Sequence, residues 1–145
     1  MKDPIQKYFD VGTIAWMSYP PQSYPLLEAV KKIACDEYLS AIEITHIEDA
    51  KVRGQVRDML AQSHMKVCYG AQPGLLGTGK NPNDIDEERR LEAQKILMDA
   101  VDEAQYMGAG GIAFLAGKWE EETKREAFGQ LIKTCENVCL YAAEK

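Results

Sequence analysis

The stretch AIEITHIEDAKVRGQVRDMLAQSHMKVCYG, residues 41–70, decides the fold. Two short apolar runs, Ala41 to Thr45 and Met65 to Gly70, flank a segment in which Val52, Val56, Met59 and Leu60 recur at helical spacing. This is the pattern of strand, helix, strand. A crossover helix returns the chain to the same edge of the sheet, so the two strands must run parallel.

The same alternation extends in both directions. Upstream, a strand is expected over Phe9 to Ala15, then a helix carrying Leu26, Leu27, Val30 and Ile33. Downstream, a helix from about Asp86 to Met107 buries Ala93, Leu97, Ala100, Val101 and Ala104, and a fourth strand follows over Gly111 to Ala116. The last helix has the cleanest stripe of all: Phe128, Leu131, Ile132, Cys135, Val138, Cys139 and Ala142, with Lys124, Glu126 and Lys133 outside it. The punctuation agrees. Pro25 suits a first helical turn, Asp84 or Asp86 can cap the third helix, and Met107 to Gly111 ends it. The expected fold is α/β: four parallel βα units, the N-terminal half of a (β/α)8 TIM barrel, in one domain over residues 1–145, with a fifth strand due where the sequence stops.

Composition describes an ordinary soluble domain, 46% hydrophobic and 28% charged. No apolar run approaches the ~20 residues that span a bilayer, and Met1-Lys2-Asp3-Pro4 lacks the apolar core of a signal peptide, so a cytoplasmic location is expected and no membrane partner. The balance of 17 basic against 23 acidic residues, net charge −6, offers no basic cluster for phosphates, and no nucleic-acid partner is expected. Cys35, Cys68, Cys135 and Cys139 form no Cys-x-x-Cys, and neither His46 nor His64 stands at zinc-site spacing from them. They are expected to be reduced, packed thiols.

Gly74 to Lys80 has the spacing of a phosphate loop. Asn81 replaces the hydroxyl that would hold magnesium, and Pro82 interrupts the helix such a loop must enter. The 14 residues from Ala71 to Asp84 read instead as a mobile connection of the length that lids and binding loops have.

Parallel strands send all four βα connections to one end, where barrels bind ligands. The first supplies Trp16, Ser18 and Tyr19, the second Glu43, Thr45, His46 and Glu48, the third Tyr69, Gln72 and Lys80, and the fourth Lys118, Trp119 and Glu120. Aromatic faces beside carboxylates, an amide and a lysine suit a polyhydroxy ligand such as a sugar. Trp16 and Trp119 could equally be packing at a rim, and Glu120 to Glu122 a solvated helix start. Glu43 is the sharpest candidate. It interrupts the apolar run of its own strand, where a carboxylate must be paired or functional. His46 could be ligand, acid/base group or merely exposed, and His64 reads as a helix-end cation.

Four segments carry a family resemblance: Val11-Gly12-Thr13, Ala41-Ile42-Glu43-Ile44-Thr45, Lys66 through Pro73, and Ala104 through Gly117. With them nearly the whole chain resembles the N-terminal half of the sugar phosphate isomerase/epimerase superfamily, the xylose-isomerase-like barrels. Ala41 to Thr45 and Tyr69 to Pro73 look most like the large subunits of bacterial C-glycoside deglycosidases. The resemblance implies a divalent metal (Mn, Mg, Co or Zn) and two glutamates moving a proton beside a sugar carbonyl. In the family the metal ligands come from strands five to eight, so none carries over to this chain. What carries over is a sugar-facing wall, with Glu43 and His46 as catalytic candidates and Trp16, Tyr19, Gln72, Lys118 and Trp119 as substrate contacts. The related DNA-repair endonucleases take a histidine after the third strand, where this chain has Gln72.

A lone half-barrel leaves an edge strand and an apolar face uncovered. A C-terminal half-barrel or self-association is therefore expected as partner, beside a sugar or glycoside substrate. Part of a barrel enzyme is the leading expectation. A non-catalytic α/β binding module and a half-barrel that dimerises are the alternatives.

Overall fold

A computed structural model describes residues 3–145; Met1 and Lys2, the start of the segment judged above for a signal peptide, lie outside the described residues. After a 3-10 turn at Ile5–Lys7 the elements run β1 Gly12–Ile14, α1 Ala15–Ser18, α2 Leu26–Ala34, β2 Ala41–Ile44, α3 Ala50–Ser63, β3 Lys66–Gly70, α4 Gln72–Thr78, α5 Glu87–Tyr106, β4 Ile112–Ala113 and α6 Lys124–Ala143. The sheet has the order β1-β2-β3-β4, every pair parallel. This is half of a TIM barrel, as the alternation of elements requires.

Register sorts the side chains into two faces. Ile42 pairs with Val67 and Ile44 with Tyr69, and all four are buried. They pack in one core with Val30 and Ile33 of α2, Val56 and Leu60 of α3, and Leu97 and Val101 of α5. Each such side chain contributes roughly 1.5–3 kcal/mol on leaving water. The alternate residues Ile14, Glu43 and Cys68 are register neighbours and share the opposite face, the one that lines a barrel's interior.

Caps fix where the helices begin. The Asp49 carboxylate accepts from Lys51 N–H (2.8 Å) and Val52 N–H (3.0 Å) at the start of α3. Of the two candidates before α5, Asp86 is the cap, accepting from Glu88 N–H at 3.0 Å and Arg89 N–H at 3.1 Å, while Asp84 accepts from Asp86 N–H. Pro25 stands one position earlier than expected, at the N-cap of α2. His64 ends α3 in the left-handed region, φ 58°, the only non-glycine with positive φ among the described residues.

Four further expectations change. The strands are shorter than their apolar runs, β4 most of all, because β4 can pair only as far as β3 extends and β3 gives way to α4 just after Gly70. The connection from Ala71 to Asp84 is not a bare loop. Its first half is α4, with a proline in the first turn, Leu75 buried, and Gly79 (φ 66°) closing it in the left-handed conformation that glycine adopts without strain. Of the cysteines, Cys35, Cys68 and Cys139 are exposed and Cys135 half-buried, all free, so these thiols are not core packing.

The fourth change is the face that α6 buries. The apolar stripe is largely outside: Phe128 is 62% and Ile132 43% exposed, and Cys139 is exposed. The buried side is Ala127, Gln130, Thr134 and Val138, against α5. A polar seam dictates this choice. Arg90, 2% exposed, donates to Gln94 Oε1 (2.8 Å) and Thr134 Oγ1 (3.0 Å) and grips Glu87 with its other nitrogens. Thr134 Oγ1 in turn donates to Pro82 O at 2.7 Å, and Asn137 Nδ2 donates to Gln94 Oε1 at 2.9 Å. A buried guanidinium must keep its acceptors, so α6 turns Thr134 inward and leaves Phe128 out.

Two stability predictions follow, both read by urea unfolding. Thr134→Val keeps the shape but removes both hydrogen bonds of Oγ1, and should cost about 1–3 kcal/mol. His64→Gly relieves left-handed strain of roughly 1–2 kcal/mol, less the greater freedom of glycine in the unfolded chain, and should stabilise by about 0.5–1 kcal/mol.

Candidate functional site

Gly70, the last residue of β3, stands in a crowded part of the ligand end of the half-barrel. A Cβ placed on it would lie 2.5 Å from Gln72 Oε1, 2.6 Å from Glu43 Oε1 and 2.6 Å from Trp16 Cη2. Three side chains from three successive βα units thus meet over one backbone position. Only glycine admits that approach. Each arrives by its own element: Trp16 on α1, Glu43 on the interior face of β2, and Gln72 at the start of α4. Thr45 Oγ1 donates to Gly70 O at 2.8 Å and ties the end of β2 to the end of β3.

Glu43 Oε1 and Gln72 Oε1 are both buried with no hydrogen-bond partner. Buried acceptors are nearly always paired, and leaving one unpaired costs about 1–3 kcal/mol, so two side by side mark a place that awaits a donor. Below them, along the interior face, a groove of about 450 Å³ is lined by Gly12, Ile14, Met17, Ala41, Glu43 and Cys68.

The remaining sequence candidates lie at the same end of the sheet but not at Gly70. His46 turns toward the helix layer, where its Nδ1 is 2.5 Å from Glu103 Oε2 of α5. The other oxygen of Glu103 accepts Ile47 N–H at 2.9 Å, and Arg53 Nη1 stands 3.9 Å from it. The buried Tyr69 phenol beside Glu103 is held well above its usual pKa, first by burial and then by the carboxylate's charge, and stays protonated. Glu103 thereby pins the connection after β2. A second cavity of about 260 Å³ lies here, behind Gly70, lined by Thr45, His46, Tyr69, Gly74, Ala100 and Glu103.

Tyr19 packs edge-on against Tyr24, ring centroids 5.1 Å apart, with the Lys32 ammonium over both rings. Lys118 and Trp119 are exposed on the connection after β4. The Lys118 carbonyl accepts from Asn81 Nδ2 (2.9 Å) and Asn83 Nδ2 (3.2 Å), and the Lys124 ammonium sits 4.6 Å from the centre of the Trp119 ring. Ser18 and Thr13 share a hydrogen bond, and Lys80 pairs with Glu92.

Sequence reasoning missed Gly70 and Glu103. A glycine ending an apolar strand is a signal for close approach and could have been used. Nothing in the sequence separates Glu103 from Asp102 beside it. As for the divalent metal that the resemblance implies, no group of three or more His, Cys, Asp or Glu among the described residues is placed to hold one. The partners of Glu43 are an amide and an indole. These residues do not fit a metal, and no step through one is assigned to them.

No protein-family model matches the chain, and no curated protein does. A solved structure described as a D-tagatose 3-epimerase-like protein aligns with TM-score 0.73 and 15% sequence identity, over 94% of this chain and 49% of the other. The chain spans about half the length of that barrel. The likeness establishes the fold alone, that of half a TIM barrel.

Proposed function

We propose that this chain is the substrate-binding half of a cytoplasmic sugar isomerase/epimerase-like barrel that takes a proton from the carbon beside a sugar carbonyl. The observation that carries the reading is the meeting of Trp16, Glu43 and Gln72 at Gly70, with two acceptor oxygens left free at the ligand end of an epimerase-like half-barrel. A sugar presents what this place lacks: hydroxyl donors for Glu43 and Gln72, and a C–H face for the Trp16 ring. Glu43 is the one carboxylate of the three and takes the role of proton acceptor. His46, with Nδ1 held by Glu103, keeps Nε2 for a second proton-transfer role, while Tyr19, Lys118 and Trp119 contact outlying parts of a larger substrate. C-glycoside cleavage is the finer form of this reading, since it too begins beside a carbonyl.

Groups that this chain does not offer, the metal ligands above all, belong in this reading to the completing half of the barrel. Support comes from the outward stripe at Phe128 and Ile132, which calls for a covering partner. A second reading is sugar binding without chemistry, in which Glu43 and Gln72 only accept hydrogen bonds.

Ketoses incubated in D2O with the protein should gain deuterium beside the carbonyl, followed by NMR, and Glu43→Gln should slow the exchange at least tenfold. Sugar binding by calorimetry with no exchange selects the binding-module reading. Exchange unaffected by Glu43→Gln returns that residue to a structural role.

A further inference from the structure

We infer that the cavity of about 260 Å³ behind Gly70 is a second ligand site, shaped for one small neutral aromatic molecule that carries a hydroxyl, of which phenol is the simplest. It is separate from the sugar site: the cavity lies with Tyr69 on the helix side of the sheet, and Glu43 stands on the opposite face. All of its walls come from residues between Thr45 and Glu103, so the site is complete within this chain. They grade from floor to rim. Tyr69, Ala71 and Ala100 are buried, while His46, Thr78 and Asp99 are exposed. Packed interiors keep few spaces larger than a water molecule, and this one is held open by small residues where α4 faces α5, Gly74 on one side and Ala100 on the other. A Cβ on Gly74 would lie 3.2 Å from Ile96 Cγ2, so a single added carbon already narrows the space. An apolar cavity of about 150 Å³ stays dry and takes up benzene, so one substituted ring fits here.

The charges around the cavity decide against an ion. Asp99 already holds the Lys95 ammonium with both oxygens, at 2.8 and 2.7 Å, and Glu103 is engaged by His46 Nδ1 and Ile47 N–H. No carboxylate here lacks a partner, so an ammonium gains little and loses its water over an apolar floor, while an anion meets two like charges. One neutral polar atom does have a place. The Tyr69 hydroxyl, kept protonated by burial and by the charge of Glu103, is a donor at the cavity wall, and the Glu103 oxygens are acceptors beside it. A ligand hydroxyl accepts from the first and donates to the second. Water can meet the same two groups, but it leaves the apolar floor without the contacts that a ring supplies.

The test is titration of the full chain with phenol, toluene, benzoate and benzylamine, followed residue by residue through amide chemical shifts. Phenol should bind with a dissociation constant on the order of 1 mM, ordinary for a ligand of so few atoms, and should shift Ala71, Gly74, Ile96 and Ala100. Toluene, which lacks the hydroxyl, and the two ions should each bind about tenfold more weakly or not at all. Ala100→Leu fills the space and should abolish phenol binding. Gly74→Ala adds a methyl group within α4, at a position without a left-handed backbone, and should weaken binding at least threefold; it keeps the question open to measurement where Ala100→Leu fails to fold. The inference is overturned by shifts that map elsewhere, by toluene or either ion binding as tightly as phenol, by phenol binding unchanged in Gly74→Ala or in a folded Ala100→Leu, or by no saturable binding of phenol, which leaves the cavity a packing void. None of the probes is a sugar, so the outcome is independent of deuterium exchange.

Discussion

The in-register parallel pairing of β2 with β3 is the constraint on which the rest depends. Ile42 faces Val67 and Ile44 faces Tyr69, and these four close the core beneath α3 and α5. Because side chains alternate, the same register sends Glu43 to the opposite face. A slip by one residue would bury Glu43 among the helices and turn Ile42 and Ile44 into the barrel. The apolar burial of the core and the position of the carboxylate are therefore one decision, made at the level of the strand pair.

A second layer of restraint acts at the strand ends. Backbone pairing ends with the bond from Ala71 N–H to Ala113 O, and side chains take over: Thr45 bonds to the Gly70 carbonyl, while Glu103 reaches from α5 to hold Ile47 and His46. The end of β2 is thus fixed from both sides before any ligand arrives. Such prior fixing lowers the ordering cost that binding would otherwise meet. Gly70 contributes by what it lacks, since any larger residue would drive Trp16, Glu43 and Gln72 apart.

The four βα units were legible because helix and strand periods are properties of the segment itself. Strand ends were not. Whether Phe114 to Ala116 belongs to β4 depends on a neighbour, and β3 has already turned into α4 at that height. The helix over Gln72–Thr78 was masked by its glycines and proline, residues of low helix propensity that the burial of Leu75 and the turn at Gly79 override. The misread face of α6 has a similar cause: hydrophobicity marked Phe128 and Ile132, yet a buried arginine on another helix selected Thr134. At the site, Glu43 stood out because a carboxylate within an apolar run has few harmless explanations. The meeting of Trp16 and Gln72 with it, and the separate environments of Tyr19, His46, Lys118 and Trp119, depend on distances that spacing along the chain does not encode.

The seam of Arg90, Gln94, Thr134 and Asn137 also bears on how α6 comes to rest during folding. Hydrogen bonds hold a helix at one rotation about its axis, whereas a purely apolar contact tolerates several. During synthesis from the N-terminus, α6 can therefore settle on α5 with its rotation set by this seam alone. The exposed apolar side, Phe128 and Ile132 above all, is then presented at a fixed angle to solvent or to whatever packs on it.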